Sequence, residues 1–270
     1  MSINDNLSAD DIRRGLRTKT FGCELFILET VDSTNTYLKK LDPSALPEGT
    51  VVIADGQTAG RGRLGKSFAS PAGEGIYMSL LIKPRAAHEK NLILTVYCAV
   101  AVCTALSRVC GLDASVKWVN DIFCAGKKIC GILAETVIPA DTDYYSEPMT
   151  PVYIGIGVNT GTISSDIEDI ATSVYLLTGK RGFRNLLTAE ILNELERMYL
   201  QMDDAAARRA VLDEYAKRLF ILNKKIHIRE TADAGFYRAT VRSVGESGEL
   251  VVETDGGEIK GIYTGEIIWD

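Results

Sequence analysis

The sequence predicts an α/β fold in which strands and helices alternate over most of the chain, followed by a small all-β unit. Apolar runs of strand length, such as residues 51–54 and 76–82, are separated by segments with helical periodicity. From Lys224 onward the pattern changes to short alternating strands between glycine-rich turns, which is typical of an SH3-like barrel. At 270 residues the chain is long enough for one sizeable domain and a small second one.

Composition and charge exclude several classes of protein. Charged residues make up 24% of the chain and the net charge is −6, so the basic footprint of a nucleic-acid-binding protein is missing. The N-terminal residues are acidic and lack the apolar segment of a secretion signal, and no apolar run is expected to reach the length of a membrane span. We therefore expect a cytoplasmic protein that binds neither nucleic acid nor membranes.

The cysteines and histidines form no catalytic or metal-binding pattern. The six cysteines show no C-x-x-C pairing, and in a chain of this size without a secretion signal reduced thiols in the core are favoured. They are Cys23, Cys98, Cys103, Cys110, Cys124 and Cys130. The two histidines, His88 and His227, lie far apart in the sequence and near no other motif. A nucleophilic enzyme of the Ser/His or Cys/His type is therefore not expected.

The individual elements follow from periodicity and from the residues that begin or end them. Ser8 is suited to cap a short helix, and Gly111 is suited to end a helix over residues 90–111 that is apolar almost all round. Residues 188–219 form an amphipathic helical region, interrupted near Asp203 and Asp204. Strands are predicted over residues 24–29, 51–54, 76–82, 115–124, 128–135 and 152–159, a short helix over 36–41 and a connection over 140–151.

A loop rich in glycine and cations lies between the strands at residues 51–54 and 76–82. Residues 60–65 match G-x-G-x-x-G, and residues 60–67 also match G-x-x-x-x-G-K-S. Both patterns need a helix directly after them, but a proline, two glycines and a strand follow instead. The alternatives are a solvated basic loop, or a loop whose backbone amides and three cations, Arg61, Arg63 and Lys66, bind an anion.

Further polar side chains occur where simple structure does not need them. Ser33, Thr34 and Asn35 precede a short helix, whereas a helix cap needs only one such residue. Lys117 has apolar neighbours in the sequence, and a buried lysine needs an anion or a carboxylate as a partner. Alternating glycines at 155 and 157 leave one face of a strand bare, so that another backbone or a flat ligand can lie against it. With no covalent nucleophile in evidence, such a set suits attack at a phosphorus with pyrophosphate leaving.

Six stretches, in order, resemble the motifs of biotin protein ligases. They are Val31-Asp-Ser-Thr-Asn35, Gln57-Thr-Ala-Gly-Arg-Gly-Arg63, Ser70-Pro-Ala-Gly-Glu-Gly-Ile-Tyr-Met-Ser79, Lys117-Trp-Val-Asn-Asp121, Lys128-Ile-Cys-Gly-Ile-Leu133 and Gly155-Ile-Gly-Val-Asn159. One match alone would be weak, but an ordered set is specific. The resemblance implies a mixed sheet flanked by helices, similar to class II aminoacyl-tRNA synthetases. It divides the chain into an N-terminal extension (1–20), a catalytic domain (21–222) and a C-terminal SH3-like domain (223–270).

The resemblance also implies a two-step ligase reaction. The carboxylate of biotin attacks the α-phosphate of MgATP, which gives biotinyl-5′-AMP and pyrophosphate, and a lysine amine of an acceptor then takes the biotinyl group. The acceptor would be a biotin carboxyl carrier protein, or that domain of a carboxylase such as acetyl-CoA carboxylase. Biotin and ATP would be substrates and Mg²⁺ the accompanying ion, with no tightly bound prosthetic group. The family includes monomers and dimers, so a homodimer stays open.

Residue roles follow from the same resemblance. Lys128 would bridge the biotin carboxylate and the α-phosphate, and Arg63 would complete the catalytic set. The biotin-binding residues would be Ser33, Thr34, Asn35, Gln57, Gly60, Arg61, Gly62, Arg63, Trp118, Lys128, Gly131 and Gly155. The ATP-binding residues would be Arg63, Lys66, Phe68, Lys117, Asn120 and Asn159, and the Mg²⁺ ligands Asp121 and Asn159. The glycine-rich loop would open for ligand and close to protect the adenylate from water.

The chain departs from the family pattern at a few positions, and other functions stay open. Val119 occurs where the family usually has proline and Phe68 where it has tryptophan. Lys66 often is arginine, so bidentate phosphate contact there is in doubt. The DNA-binding domain of repressor-type members is missing, so no transcriptional repressor role is expected. The alternatives are a lipoate or octanoate ligase or transferase of the same superfamily, a P-loop nucleotidase, and a non-catalytic binding module.

Overall fold

A seven-stranded mixed sheet forms the centre of the larger part of the chain. In the computed structural model, which describes residues 5–84, 90–137, 150–231 and 233–269, its strands are β1 (Leu25–Val31), β2 (Val51–Gln57), β3 (Gly75–Ile82), β4 (Ser115–Lys117), β5 (Asp121–Cys124), β6 (Lys127–Thr136) and β7 (Val152–Asn159). Their order is β1-β2-β3-β7-β6-β5-β4. The β1–β2 pair is parallel and the other neighbours are antiparallel, so the predicted mixed sheet is confirmed.

Helices cover both faces of this sheet. They are α1 (Ala9–Gly15), α2 (Thr34–Lys40), α3 (Lys90–Cys110), α4 (Val174–Thr178), α5 (Arg184–Tyr199) and α6 (Ala205–Arg218). Successive residues of β3, Leu80 and Leu81, belong to two separate apolar clusters because a strand presents alternate side chains to opposite faces. Leu38 of α2 packs with Leu81, whereas α3, α5 and α6 supply the larger cluster with Leu80.

Capping side chains begin several of these helices where the sequence predicts. Ser8 Oγ accepts the N–H of Asp11 at 3.2 Å at the start of α1. The predicted interruption of the long helical region is also confirmed, because Asp204 caps α6 by accepting the N–H groups of Ala206 and Ala207 at 2.8 and 2.9 Å. An N-cap of this kind starts a new helix at α6, where Asp204 lies five residues after Tyr199, the end of α5.

The predicted continuous strand over residues 115–124 is wrong. The chain reverses at residues 118–120, so that Lys117 of β4 and Asp121 of β5 become direct neighbours in register. Trp118 and Val119 are buried in this turn, and the Tyr215 hydroxyl of α6 donates to Val119 O at 3.0 Å. A buried turn has the apolar composition of a strand, so periodicity cannot distinguish the two.

Helix α3 corrects the expectation about membrane-length segments. Asn91–Cys110 is 20 residues long and apolar enough to span a membrane by composition. However, 72% of that apolar window is buried inside the protein, where α3 packs against α5, α6 and the sheet. An apolar helix that is covered on most sides is typical of a protein core.

A second, five-stranded antiparallel sheet follows α6. Its strands are β8 (Lys225–Arg229), β9 (Tyr237–Val244), β10 (Leu250–Thr254), β11 (Ile259–Ile262) and β12 (Glu266–Ile268), in the order β11-β10-β9-β8-β12. This sheet is consistent with the predicted SH3-like unit, although β12 lies beyond the strands identified in the sequence. The division at residues 20 and 222 stays a prediction. His88 and residues 140–149 of the predicted connection lie outside the described residues.

The six cysteines are free thiols. Cys98, Cys103, Cys124 and Cys130 are buried as expected, and Cys110 is half-buried. The expectation of a core position is wrong for Cys23, which is exposed in the segment before β1. Its place in an irregular segment gives no periodic signal from which exposure could be inferred.

Candidate active site

Most of the predicted site residues line one cleft on the α2 face of the sheet. Those that line it are Ser33, Thr34, Asn35, Gln57, Arg61, Gly62, Arg63, Lys66, Phe68, Lys117, Trp118, Asn120, Asp121, Lys128, Gly131 and Gly155. They come from the start of α2, the end of β2, the glycine-rich loop and strands β4 to β7. Residues far apart in the sequence therefore meet because the sheet places their strands side by side.

One end of the cleft is a network of hydrogen bonds at the start of α2. Gln57 Oε1 accepts the backbone N–H of Thr34 at 2.9 Å. The Ser79 hydroxyl donates to Asn35 Oδ1 at 2.6 Å and lies 2.7 Å from Thr34 Oγ1. Ser33, Thr34 and Asn35 are all buried. Buried polar groups with several partners hold fixed orientations, as recognition of a small polar ring requires.

The glycine-rich loop, residues 60–68, forms one wall of the cleft and is bonded to itself at its base. The N–H of Phe68 donates to Gly60 O at 2.9 Å, and the N–H of Gly62 donates to Lys66 O at 2.7 Å. A 3₁₀ turn, Arg63–Gly65, lies at the tip, and β3 follows rather than a helix. The absence of a P-loop helix after residue 67, within this described segment, is as predicted.

Each cation of the loop contacts a different partner. Arg61 Nη2 lies 3.4 Å from Glu135 Oε1, and Lys66 Nζ lies 3.4 Å from Glu266 Oε1. Arg63 Nη1 donates to Asn120 Oδ1 at 3.1 Å. Burial lowers the pKa of Arg63, although Asp121 opposes that effect. A guanidinium stays charged nevertheless, so Arg63 holds its charge in a place where electrostatic attraction is stronger than in bulk water.

Lys128, near the start of β6, is paired with Asp121 of β5. Its Nζ lies 2.7 Å from Asp121 Oδ1 and 5.9 Å from the centre of the Phe68 ring. The two side chains are 32% and 22% exposed, so the pair is partly shielded from water. An ammonium in this position has further donors with which to bind an anionic substrate while it keeps its counter-charge.

Lys117, the last residue of β4, has an aromatic neighbour from the C-terminal sheet. Its Nζ lies 4.4 Å from the centre of the Trp269 ring, which is the geometry of a cation–π contact. Burial lowers the pKa of Lys117, and the nearby Asp121 only partly opposes this. The predicted need for a partner is thus met by a ring and by a carboxylate that is already paired with Lys128.

Two glycines make room for Phe68 on the floor of the cleft. A Cβ at Gly157 would lie 2.6 Å from the ring, and a Cβ at Gly131 would lie 3.1 Å from it. A Cβ at Gly155 would lie 3.0 Å from Asn35 Oδ1. The bare strand face predicted for β7 is confirmed, and what lies against it is the Phe68 ring and the Asn35 amide.

Two predicted residues, Asn159 and Gly60, do not line the cleft. Asn159 Nδ2 instead donates to Thr172 O at 3.1 Å, which ties the end of β7 to the segment before α4. Gly60 packs at the base of the loop against the backbone of Phe68 and the side chain of Ser70, and a Cβ at Gly60 would lie 2.3 Å from Phe68 O. Asparagine and glycine are residue types that suit a binding site, but Asn159 at the end of β7 and Gly60 at the base of the loop are directed away from the cleft.

The predicted pairing of Asp121 and Asn159 as a Mg²⁺ site does not fit the geometry. Asp121 is engaged with Lys128, and Asn159 is directed to Thr172. Among the described residues no group of three or more His, Cys, Asp or Glu side chains could hold a metal ion. Mg²⁺ commonly binds through one or two carboxylates together with substrate phosphates, so an ion here would be carried mainly by the nucleotide.

Several residues around the cleft were missed by sequence analysis. Glu135 follows Gly131 and Leu133 at alternate positions of β6, so a period of two would have placed it on the same face. Gly265, Glu266 and Ile267 reach the cleft from the C-terminal sheet. No local signal identifies them, because their position depends on how the two sheets pack.

Comparison with known proteins bears on the identity of this site. A sequence model described as “Biotin/lipoate A/B protein ligase family” matches residues 27–159, which include most of the cleft. The chain is 33% identical over 267 residues to the “Bifunctional ligase/repressor BirA” of Bacillus spizizenii, covering 97% of this chain and 78% of that protein. It is 26% identical to the “Biotin--[acetyl-CoA-carboxylase] ligase” of Mycobacterium tuberculosis, covering 99% of each chain.

A solved structure shows the same arrangement of elements. The biotin protein ligase from Aquifex aeolicus in complex with biotin and ATP superposes with a TM-score of 0.76 at 28% identity. The match covers 91% of this chain and 98% of the other. The similarity therefore includes both sheets and the strands that carry the cleft.

Proposed function

The chain belongs to the biotin protein ligase family, and from that premise we propose that its cleft activates biotin as biotinyl-5′-AMP and passes it to a lysine of a biotin carboxyl carrier domain. The observation that carries this proposal is the meeting, in one cleft, of a fixed hydrogen-bonding pocket and a group of cations. A ring-binding end and an anion-binding end are what the joining of biotin to a nucleotide requires.

We place the ring of biotin at the start of α2. The ureido group offers N–H donors and a carbonyl acceptor, and the side chains of Ser33, Thr34, Asn35 and Gln57 offer the matching groups. Gly155 of β7 lets the Asn35 amide lie against the strand, because a Cβ there would be 3.0 Å from Asn35 Oδ1. The valeryl carboxylate would then extend toward the cations.

In the first step a biotin carboxylate oxygen attacks the α-phosphorus of ATP, a new P–O bond forms, and the bond to pyrophosphate breaks. Lys128 would sit between the two anions, with Asp121 holding its ammonium in place. Arg63, fixed by Asn120, would neutralise charge on the phosphate. Cations positioned in advance lower the barrier because no reorganisation is needed when charge develops.

In the second step the acceptor lysine amine attacks the carbonyl carbon of the mixed anhydride and AMP leaves. The residues around the cleft then have to keep the anhydride from water until the amine arrives. The loop with Arg61 and Arg63 is in position to cover it. The expected change of loop conformation on ligand binding stays a prediction.

The proposal also concerns the metal ion, the location of the protein and its partners. We infer that ATP brings Mg²⁺ with it, and we derive no step through the ion because the predicted ligand pair does not assemble. A cytoplasmic location, a homodimer and the absence of nucleic-acid binding stay predictions. So does the absence of a repressor role, since the Bacillus relative is named for both functions.

The test is biotin-dependent exchange of labelled pyrophosphate into ATP, which needs no acceptor. We expect exchange with biotin and none with lipoate or octanoate. Exchange with lipoate or octanoate but not with biotin would instead assign the chain to the lipoate or octanoate ligases of the same superfamily. No exchange with any of the three acids would contradict the adenylation step itself.

A further inference from the structure

A run of hydrogen bonds passes behind the cleft and begins at the C-terminal end of the glycine-rich loop. Phe68 O accepts the hydroxyl of Ser70 at 3.0 Å, and Ser70 Oγ accepts Gln57 Nε2 at 2.8 Å. Gln57 Oε1 then accepts from Thr34, which lies next to Asn35 at the start of α2. The start of α2 is therefore linked to one end of the loop through Gln57 and Ser70.

The same run continues to the other end of the loop through Glu135. Asn35 Nδ2 donates to Glu135 Oε2 at 2.9 Å, and Glu135 Oε1 lies 3.4 Å from Arg61 Nη2. Lys39 of α2 contacts Oε2 at 2.8 Å. The side chains of Glu135 and Lys39 are 19% and 17% exposed, so their pair is shielded from water, whereas Arg61 is 50% exposed and approaches the carboxylate from the solvent side.

The NH₂ group of Asn35 contacts two acceptors, Glu135 Oε2 at 2.9 Å and Leu133 O at 3.4 Å, and the carboxylate is the nearer of the two. Burial opposes ionisation of Glu135, but hydrogen bonds from Lys39 and Asn35 outweigh it, so the pKa of the carboxyl is lowered. An ionised carboxylate only accepts hydrogen bonds, so the NH₂ group of Asn35 must face it. The amide oxygen is thereby turned to Ser79, which donates to it at 2.6 Å. That oxygen can accept one more hydrogen bond, from the N–H of a ligand.

We propose that Glu135 is a positioning residue that orients Asn35 to accept a ligand N–H and at the same time holds Arg61 of the loop over the occupied cleft. It touches no substrate itself. This inference rests on the proposed function, because it takes the ligand to be the ureido ring of biotin. Its consequence is that ring recognition and the position of the loop depend on one carboxylate.

The variant Glu135→Gln tests both halves of this proposal. Glutamine has nearly the same shape, but it carries no charge for Arg61, and it gives Asn35 either a neutral, weaker acceptor or, if its amide is turned, its own NH₂ group. In pyrophosphate exchange we expect the KM for biotin to rise by about tenfold to a hundredfold, as for loss of a hydrogen bond to a charged group, with the KM for ATP changed less than about twofold. We also expect faster trypsin cleavage after Arg61 and Arg63 in the presence of biotin.

Lys39→Met is the matched control, because it removes another partner of the same carboxylate and leaves the contacts to Asn35 and Arg61. We expect the KM for biotin to change by less than about threefold in this variant, because Asn35 and Arg61 still favour the ionised form of Glu135. Equal effects of Glu135→Gln and Lys39→Met would overturn the proposal, since the cluster would then be a brace for α2 alone. A parallel rise of both KM values, or unchanged trypsin cleavage, would overturn it as well.

Two further measurements keep the outcomes separate. If Glu135→Gln fails to fold, Glu135→Asp replaces it, because aspartate keeps the charge but has a shorter reach. We again expect a selective rise in the KM for biotin. A parallel rise in the KM for ATP would contradict the proposal. The wild-type protein is assayed in every series. Failure of wild-type exchange would remove the proposed function, whereas normal wild-type exchange with an equally active Glu135→Gln variant would remove only the role of Glu135.

Discussion

Lys128 and Lys117 lie on the two strands that flank β5, but different kinds of neighbour hold them. Lys128 is paired with Asp121 at 2.7 Å within the large sheet. Lys117 lies 4.4 Å from the Trp269 ring, at the junction with the C-terminal sheet. A carboxylate neutralises the charge of a nearby ammonium, whereas an aromatic ring offers it only a weaker electrostatic attraction. Lys128 therefore suits a permanent charge between reacting anions, and Lys117 suits a charge that is completed when a phosphate binds.

Replacing Lys128 should have the largest effect. In Lys128→Ala the carboxylate and phosphate of the two substrates lose the cation between them, and we expect pyrophosphate exchange to fall by about a thousandfold. Lys127→Met is the control, since the neighbouring Lys127 Nζ donates to Glu168 O at 2.6 Å away from the cleft. A folded Lys128→Ala variant with more than a tenth of wild-type exchange would contradict the proposed role.

Replacing Lys117 should have a smaller and more selective effect. In Lys117→Met we expect the KM for ATP to rise by about tenfold to a hundredfold, because one charge-assisted contact to phosphate is lost, while the KM for biotin changes little. Trp269→Ala keeps the lysine but removes the ring, and should raise the KM for ATP only a fewfold. If instead the KM for biotin rose in either variant, Lys117 would belong to the biotin end of the cleft.

The lowered pKa of Lys117 predicts a dependence on pH. A bound phosphate favours the charged lysine, so the pKa rises on binding, and at alkaline pH between the two values ATP binding should take up a proton. In the ligand-free protein the pKa of Lys117 lies below that of a lysine in the unfolded chain, so between those two pKa values the unfolded chain binds more protons. The contribution of Lys117 to the free energy of unfolding therefore increases with pH in that range. Calorimetry of ATP binding in two buffers of different ionisation enthalpy measures the uptake. Lys117→Arg, which does not titrate there, should not show it.

The exposed pair of Lys66 and Glu266 should show the smallest effect. Their side chains are 70% and 31% exposed, and surface ion pairs contribute only about 0.2–1 kcal/mol. We expect Lys66→Met and Glu266→Gln to change pyrophosphate exchange by less than about threefold. A tenfold loss in Lys66→Met alone would show that this lysine contacts phosphate directly.

The same contrast explains what sequence could predict. The residues around Lys128 belong to local sequence motifs and could therefore be predicted. Glycine spacing and period-two patterns likewise predict the strands, the loop without a following helix and the bare face of β7. The Trp269 side depends on how two sheets pack, which leaves no trace in the sequence near residue 269. Asn159 shows the opposite limit, because its residue type fits a ligand while its strand end directs the amide to Thr172.

The order of strands in the large sheet has a consequence for how the site comes into being during synthesis. Strand β7 lies between β3 and β6, yet it is the last of the seven to be made. The segment from β1 to β3 carries Asn35, Gln57 and the glycine-rich loop, and β4–β6 carry both lysines. A nascent chain can therefore hold two half-sites with unpaired inner edges, which insertion of one strand joins. The cleft is complete only when β7 has been made, and the unpaired edges of β3 and β6 are the places where a stalled chain would be most prone to aggregate.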